Sequence, residues 1–374
     1  MKISLTGRLR FFAAVLLLVY ISGYLISCFT AFINPCFFSK ITYFALGFPL
    51  IFVGYLFFCL PFIFFFFRKY FIAALLLLIP SWKNISSVLS FHLPKTFALN
   101  KEADAIRILS WNVNAFLYKP YIILDRAAQA EQDAMVELIR TTRPHILCFQ
   151  DFAEAPAEYG RVNIRFLADS LGYPYHYFSE DGDNYGTIQF SRLPIIDSGR
   201  IRYTERKFPE SLAFIDVLRG QDTLRIYNTH LRSMNLHKEK ITPQNIGYIE
   251  FVKEDTAVLY HTGRLGRLEY FDCIHAKQAA TVKQELDACK LPFVFCADLN
   301  AVPSSYVYQH IRKNLKDAFL SAGSGISGTY HRFTPALRID VMLVSNQLNP
   351  VQFYNPKPAL SDHYPLITDI LLHK

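Results

Sequence analysis

The fold class this chain predicts is α/β, with two β-sheets face to face and helices outside, occupying residues 104–374 behind an apolar N-terminal region. Three observations predict it. Apolar, β-rich runs recur and each ends in polar residues: Ile106 to Asn112, His145 to Asp151, Leu224 to His230, Pro292 to Asn300 and Arg338 to Val344. Runs with helical spacing interleave with them. Several short strands also follow one another across turn residues such as Arg219 to Asp222, which requires hairpins and therefore mixed sheets.

Charge divides the chain near residue 100. Residues 1–100 hold eight basic residues (Lys2, Arg8, Arg10, Lys40, Arg68, Lys69, Lys83 and Lys95) and no Asp or Glu, whereas residues 101–374 balance 31 basic against 31 acidic residues. The net charge of +8 thus belongs to segments flanking apolar runs. It marks a membrane region, not a nucleic-acid-binding face.

Phe11 to Ile33 is long enough to cross roughly 30 Å of hydrocarbon as a helix and too long for a cleaved signal peptide. Ile41 to Phe67 is a second span that tolerates Pro49 and Pro61, as membrane helices do. Tyr70 to Trp82 is a third apolar run, short for a span unless it continues past Lys83 toward Leu93. A cytoplasmic N-terminus and a cytoplasmic Arg68-Lys69 fit the basic residues best. Three crossings then leave the large domain outside the cell, and an interfacial third run leaves it in the cytoplasm. The charge pattern favours the former: a multi-pass cell-membrane protein with an extracytoplasmic domain. Residues 1–85 form the membrane region and residues 86–103 a linker.

Along the domain, Ala127, Ala130, Ala134 and Leu138 recur at helical spacing before Pro144. Gly186 to Phe190, Ile195 to Tyr203, Leu212 to Leu218 and Leu224 to Asn228 are predicted strands. Residues 230–272 form a charged segment (Arg232, Lys238, Lys240, Lys253, Arg264, Arg267) that reads equally as a basic rim or as solvated surface. Ala279, Val282, Leu286 and Cys289 mark a second amphipathic helix, and Leu366 to Leu372 the last strand. No cysteine pairing is evident: Cys273 and Cys289 fall about 24 Å apart on one helix, and Cys148 and Cys296 lie within apolar strands.

The polar strand ends carry the chemistry. Carboxylates, amides and histidines without a thiolate cluster suit a hard, oxygen-seeking cation, Mg²⁺ or Mn²⁺. Asp151 ends its strand as a direct metal ligand, with Asn112 holding the same ion or its waters. Asp298 and Asn300 alternate with Leu299, so on an extended strand both face one side, the carboxylate to orient a nucleophile and the amide to donate to a phosphate oxygen. His230 and His363 face developing phosphoryl charge as acceptors or as imidazolium donors. Asp340, set among apolar residues, needs a partner, and His363 supplies one.

The ordered set Trp111-Asn112-Val113-Asn114, Phe149-Gln150-Asp151, Tyr185 to Pro194, Asn228-Thr229-His230-Leu231, Ala297-Asp298-Leu299-Asn300, Arg338-Ile339-Asp340 and Ser361-Asp362-His363 resembles the endonuclease/exonuclease/phosphatase superfamily, with its deoxyribonuclease-I-like fold, over roughly residues 104–374. The resemblance implies a four-layered sandwich and Mg²⁺-dependent phosphoester hydrolysis by in-line attack of water. It implies Asn112, Asp151 and Asp362 at the metal, Asp298 orienting the water, Asn300 and His230 on phosphate, and His363 paired with Asp340 as general base or transition-state donor. Two positions depart from the pattern. Asp151 stands where the family usually has Glu, which draws the carboxylate back by about 1.5 Å. Asn114 stands where many of its nucleases carry Asp.

The expected activity is a membrane-anchored, metal-dependent phosphodiesterase with nuclease as the nearest family label. A lipid (sphingomyelinase-like) or small-molecule phosphoesterase is one alternative, and a catalytically inactive tethered binding module is another. The expected partners are a phosphodiester, from nucleic acid or a lipid headgroup, and the membrane; no protein partner is predicted.

Overall fold

The computed structural model describes residues 5–102, 104–117, 126–154, 164–182, 184–204, 210–234, 263–331 and 337–372. Three helical segments, Phe11–Cys28, Ile41–Phe66 and Arg68–Val88, are each long and apolar enough to cross a membrane. The second takes one π-helical turn, Tyr55–Cys59, just ahead of Pro61, where Leu60 N bonds to Tyr55 O. That turn absorbs the lost proline donor. Tyr24 and Tyr55 stack at 4.0 Å and their hydroxyls donate to Leu77 O and Ala74 O, which ties all three segments together. The third segment does continue past Lys83, to Val88.

Two residues within the expected linker pair with the domain. Leu89–Ser90 (β1) pairs antiparallel with Gly325–Ile326 (β11), and Ser90 Oγ donates to Gly323 O at 2.7 Å.

Besides the β1/β11 pair, the described residues of the domain form two six-stranded mixed sheets. The first has the order β13 (Leu348–Tyr354), β14 (Leu366–Leu372), β2 (Ile106–Asn112), β3 (Ile146–Ala153), β5 (Tyr185–Ser191), β4 (Tyr175–Gly182). The second has the order β10 (Lys316–Asp317), β12 (Asp340–Val344), β9 (Phe293–Asp298), β8 (Asp222–His230), β7 (Ser211–Arg219), β6 (Ile195–Arg202). Among the described residues only β2/β3 and β8/β9 pair in parallel, each joined by a crossover that includes a helix. The predicted hairpins are present at β6/β7 and β7/β8, and a further one, not predicted, joins β4 to β5.

Period-two alternation sorts the strand residues into layers. Ile106, Ile108, Ile146, Cys148, Ile226, Val294, Cys296 and Met342 pack between the sheets. Leu109, Trp111, Leu147 and Phe149 face outward under Met135, Val136 and Ile139 of the Arg126–Thr142 helix. On the other side Tyr227, Phe295, Ala297, Val341 and Leu343 lie under Ala276, Ala279, Val282 and Leu286 of the Arg264–Ala288 helix. Helix, sheet, sheet, helix: these are the four layers expected.

Two basic residues read as part of a surface segment are internal. Arg232 is buried, with the Glu210 carboxylate 3.5 Å away, and Arg267 is wholly buried in its helix. They cannot form a basic rim, and Lys238, Lys240 and Lys253 lie outside the described residues. Cys273 has a partner that spacing within one helix concealed: it forms a disulfide with Cys36, 237 residues earlier.

Candidate active site

The alternation that fills the core also assembles the site. Beyond the inward Ile108, Cys148, Ile226, Cys296 and Met342, the last inward positions at one edge of the sheets are Asn112, Gln150, His230, Asp298 and Asp340. Register places Asp298 beside both Asp340 and His230. Beneath them Gln150 Nε2 donates to Asn228 Oδ1 at 2.7 Å and Asn228 Nδ2 to Phe149 O at 3.0 Å, stitching the sheets together under the site.

Asp151 follows the inward Gln150, so strict alternation would point it away. A β-bulge turns it back. Phe149 pairs with Ile188 and Phe152 with Gly186, so β3 holds one residue more than β5 there, and Asp151 has φ +50°. Gly186 is required at this kink because a Cβ would meet Ser179 O at 2.1 Å.

Asp298 is the hub. Its Oδ2 accepts from Asn112 Nδ2 at 3.0 Å and lies 3.5 Å from His230 Nε2 and 3.7 Å from His363 Nε2. Each histidine uses its other nitrogen on a carboxylate from the opposite sheet: His230 Nδ1 to Asp151 Oδ1 at 2.7 Å, and His363 Nδ1 to Asp340 Oδ2 at 2.9 Å. Asn112 Nδ2 also donates to Asp151 Oδ2 at 3.0 Å. The Ser361-Asp362-His363 segment is pinned to the end of β2, since Trp111 Nε1 donates to His363 O and Ser361 Oγ to Asn112 O, both at 2.9 Å.

These contacts decide the charges. Burial opposes protonation of His230, but Asp151 and Asp298 outweigh it and push its pKa up to about 10. Burial likewise opposes His363, which Asp340 and Asp298 raise to about 9. For Asp151, burial favours the neutral acid, yet the attraction of His230 prevails and holds its pKa well below the carboxylate range. Asp340 is raised, because burial outweighs the help of His363.

Asn112, Asp151, His230, Asp298, Asp340 and His363 are therefore brought into one cluster. Asn300 is nearby, but not by the route the sequence indicated. It does not continue an extended strand: β9 ends at Asp298, Asn300 has φ +48°, and its backbone N–H donates to Asp298 Oδ1. Its Nδ2 lies 3.0 Å from His230 Nε2 and also donates to Leu231 O. Leu299 is buried as expected. Asp362 stands at the margin, half-buried, adding negative potential at His363.

Sequence reasoning missed Tyr185, whose hydroxyl bonds to Asp151, and Asp181, whose burial raises its pKa to about 7 despite the hydrogen bond from Ser211. Both sit at the β4/β5 hairpin, and only the tyrosine within the Tyr185 to Pro194 motif hinted at it.

The donor set fits a hard cation: carboxylates, an amide and imidazoles with no thiol among them. Ligand atoms of Asp298, Asp340 and His363 all lie within 4.8 Å of one another. A family model described as the Endonuclease/Exonuclease/phosphatase family matches residues 109–363. The chain belongs to this family. Members of the endonuclease/exonuclease/phosphatase family are metal-dependent hydrolases of phosphoester bonds, and the chain is an enzyme of that class.

Solved structures of similar fold include an endonuclease/exonuclease/phosphatase from Bacteroides vulgatus, at 17% identity over 72% of this chain and 99% of that one with a TM-score of 0.50. One from Beutenbergia cavernae is 19% identical over 72% of each chain with a TM-score of 0.49. The human Nocturnin catalytic domain with bound sulfate is 20% identical over 73% of this chain and 96% of that one, with a TM-score of 0.48. No curated protein matches the chain in sequence.

Proposed function

We propose that the chain is a membrane-anchored, Mg²⁺-dependent phosphodiesterase whose domain lies outside the cytoplasm and which cleaves its substrate by in-line attack of water. The observation that carries this reading is the convergence of two histidine–carboxylate pairs from opposite sheets on Asp298. Asn112 and Asp151, with Asp362 at the margin, would hold Mg²⁺. When bound, the ion would neutralise charge on the phosphoryl oxygens.

The chain's own groups supply the rest. Asp298 accepts a hydrogen bond from the attacking water and orients it. His363 keeps a proton on Nδ1 toward Asp340, which leaves Nε2 aimed at the site. Its raised pKa favours the imidazolium at neutral pH, so its role is that of a donor to the phosphoryl oxygen, not of the general base. Asn300 Nδ2 and His230 contact a second phosphoryl oxygen. The shorter Asp151 does not argue for an inactive module, because the bulge carries its carboxylate to His230 and Asn112.

Two features support the orientation. Cys36 follows the first apolar segment and Cys273 lies in the domain, so two further segments separate them, and a disulfide needs both ends on one side. Disulfides also persist in oxidising compartments. The reading is tested by turnover of bis(p-nitrophenyl) phosphate by the full-length chain, which should require Mg²⁺ and vanish in EDTA; turnover indifferent to EDTA would refute it. A cysteine introduced at Ser324 should react with membrane-impermeant maleimide in intact cells. Protection until lysis would put the domain in the cytoplasm.

A further inference from the structure

The sheet edge that carries the catalytic side chains is also the edge seated on the apolar helices. The chain leaving β9 passes Asn300 and reaches Pro303 and Ser304, where Thr30 Oγ1 donates to Ser304 O at 2.6 Å, Ser304 Oγ to Ala45 O at 2.7 Å and Ser87 Oγ to Pro303 O at 3.1 Å. Thr30, Ala45 and Ser87 lie at the end of the first apolar segment, the start of the second and the end of the third, so they mark one common face. Two residues ahead of Asp340, the buried Arg338 donates to Ser87 O at 2.7 Å and to Asp317 at 2.8 Å.

A third seat involves the Arg264–Ala288 helix. Beside the Cys36–Cys273 disulfide, Thr42 Oγ1 donates to Asp272 at 2.5 Å, and Ser39, Lys40 and Tyr43 converge on Glu269. The same helix holds the exit of β8, where Arg232 N donates to Gln278 Oε1 at 3.2 Å and His275 Nε2 lies 2.7 Å from Arg232 O. Arg232 is two residues beyond His230. The exits of β8 and β9 and the entry to β12, all at the catalytic edge, are thus tied to the helix ends.

Ser304 is four steps along the chain from Asn300, a reach of no more than about 14 Å. The headgroup layer of a bilayer is about 5 to 8 Å deep on each side. Trp82 and Phe91, both exposed and stacked at 5.7 Å, and Lys83 over the Phe32 ring at 4.0 Å form an aromatic and basic belt near these ends, as at a membrane interface. The balanced charge of residues 101–374 offers no surplus for a polyanion.

Resting on the phosphodiesterase reading above, we propose that the substrate is a phosphodiester carried by a lipid of the protein's own membrane, taken in cis from the leaflet on which the catalytic edge is seated. The water oxygen bonds to phosphorus, the ester P–O bond to the leaving alcohol breaks, and that oxygen leaves with a proton. The products are a phosphomonoester and an alcohol, with no further reactant.

The test uses the full-length chain reconstituted in vesicles of phosphatidylcholine, phosphatidylethanolamine, phosphatidylglycerol and sphingomyelin, each headgroup-labelled in turn. The label is placed either in the protein's vesicles or in separate protein-free ones, and bis(p-nitrophenyl) phosphate and plasmid DNA are assayed in parallel with Mg²⁺. At least one lipid should be cleaved, about 100-fold faster in cis than in trans, because sharing a surface raises the effective concentration. Equal rates in cis and trans would overturn the inference. So would turnover of the soluble diester or of DNA with every lipid left intact, a result under which the phosphodiesterase reading still stands. Failure on all substrates would overturn both.

Discussion

His363 and His230 each reach across from one sheet to a carboxylate on the other, and both point their Nε2 at the same Asp298 oxygen, yet the two pairs are built differently. Asp340 is the first residue of a regular strand, and the backbone N–H groups of Ile339 and Asp340 are both held by Thr329 Oγ1 at 3.0 Å. His363 is fixed at its carbonyl by Trp111, and Tyr330 packs over its ring at 4.8 Å. Asp151 instead sits on a bulge with positive φ, its side chain is 21% exposed, and it is shared among His230, Asn112 and Tyr185. One carboxylate is held by regular structure and the other is shared among three partners on a bulge. Under the proposed roles, a group that would present a proton in one direction needs the first kind of support, and a carboxylate that would turn from a histidine to a cation needs the second.

Removing each histidine sharpens the contrast. His363→Ala, and with it Asp298→Ala, should lower kcat by about two to four orders of magnitude with little change in melting temperature. His230→Ala, which under the proposed role would remove a charged hydrogen bond to substrate, should cost about ten- to hundredfold. Equal losses at the two histidines would break the distinction, and unfolding of the variants would return these residues to a structural role.

In metal-free protein the pairs also shape stability against pH. Both histidines have folded pKa values, about 9 and about 10, above the ordinary 6.5, so the stability they contribute is complete below about 6.5 and is lost as pH rises toward 10. Asp151 has the opposite sign: depressed in the fold, it contributes stability above its ordinary 3.8 that is lost in acid. Urea denaturation in EDTA should therefore show midpoints falling steadily from about pH 6.5 to 10. Midpoints that rise over that range would contradict the assigned pairs.

The smallest effect is expected at the bulge itself. Asp151→Glu restores a methylene, about 1.5 Å of reach, and should preserve Mg²⁺ affinity or improve it, measured by titration of the metal-free protein. Collapse of binding would mean that the bulge has already supplied the missing reach in a way the longer side chain cannot use.

What was legible in the sequence follows from local periodicity. Alternation along each strand gave the two faces, the polar residues at the strand ends gave the site, and the cost of burying Asp340 alone gave its partner in His363. What escaped depends on backbone departures or on distant contacts. Leu299 alternates with its neighbours in sequence, but nothing in that pattern reveals that Asn300 turns to positive φ and folds back on Asp298. The bulge at Asp151 depends on pairing with β5, and the Cys36–Cys273 disulfide on the docking of helices more than 200 residues away. Arg232 and Arg267 looked like surface charge because their burial is a property of helix packing, not of their neighbours in sequence.

A double-mutant cycle on each pair, read as kcat on bis(p-nitrophenyl) phosphate in saturating Mg²⁺, tests the division of labour most directly. For Asp340→Asn and His363→Ala, the double variant should lose no more than the worse single one, because the carboxylate acts only through the imidazole it holds. For Asp151→Asn and His230→Ala the losses should multiply, since under the proposed roles the first would serve the metal and the second the phosphate. Multiplying losses at Asp340 and His363, or coincident losses at Asp151 and His230, would contradict the account.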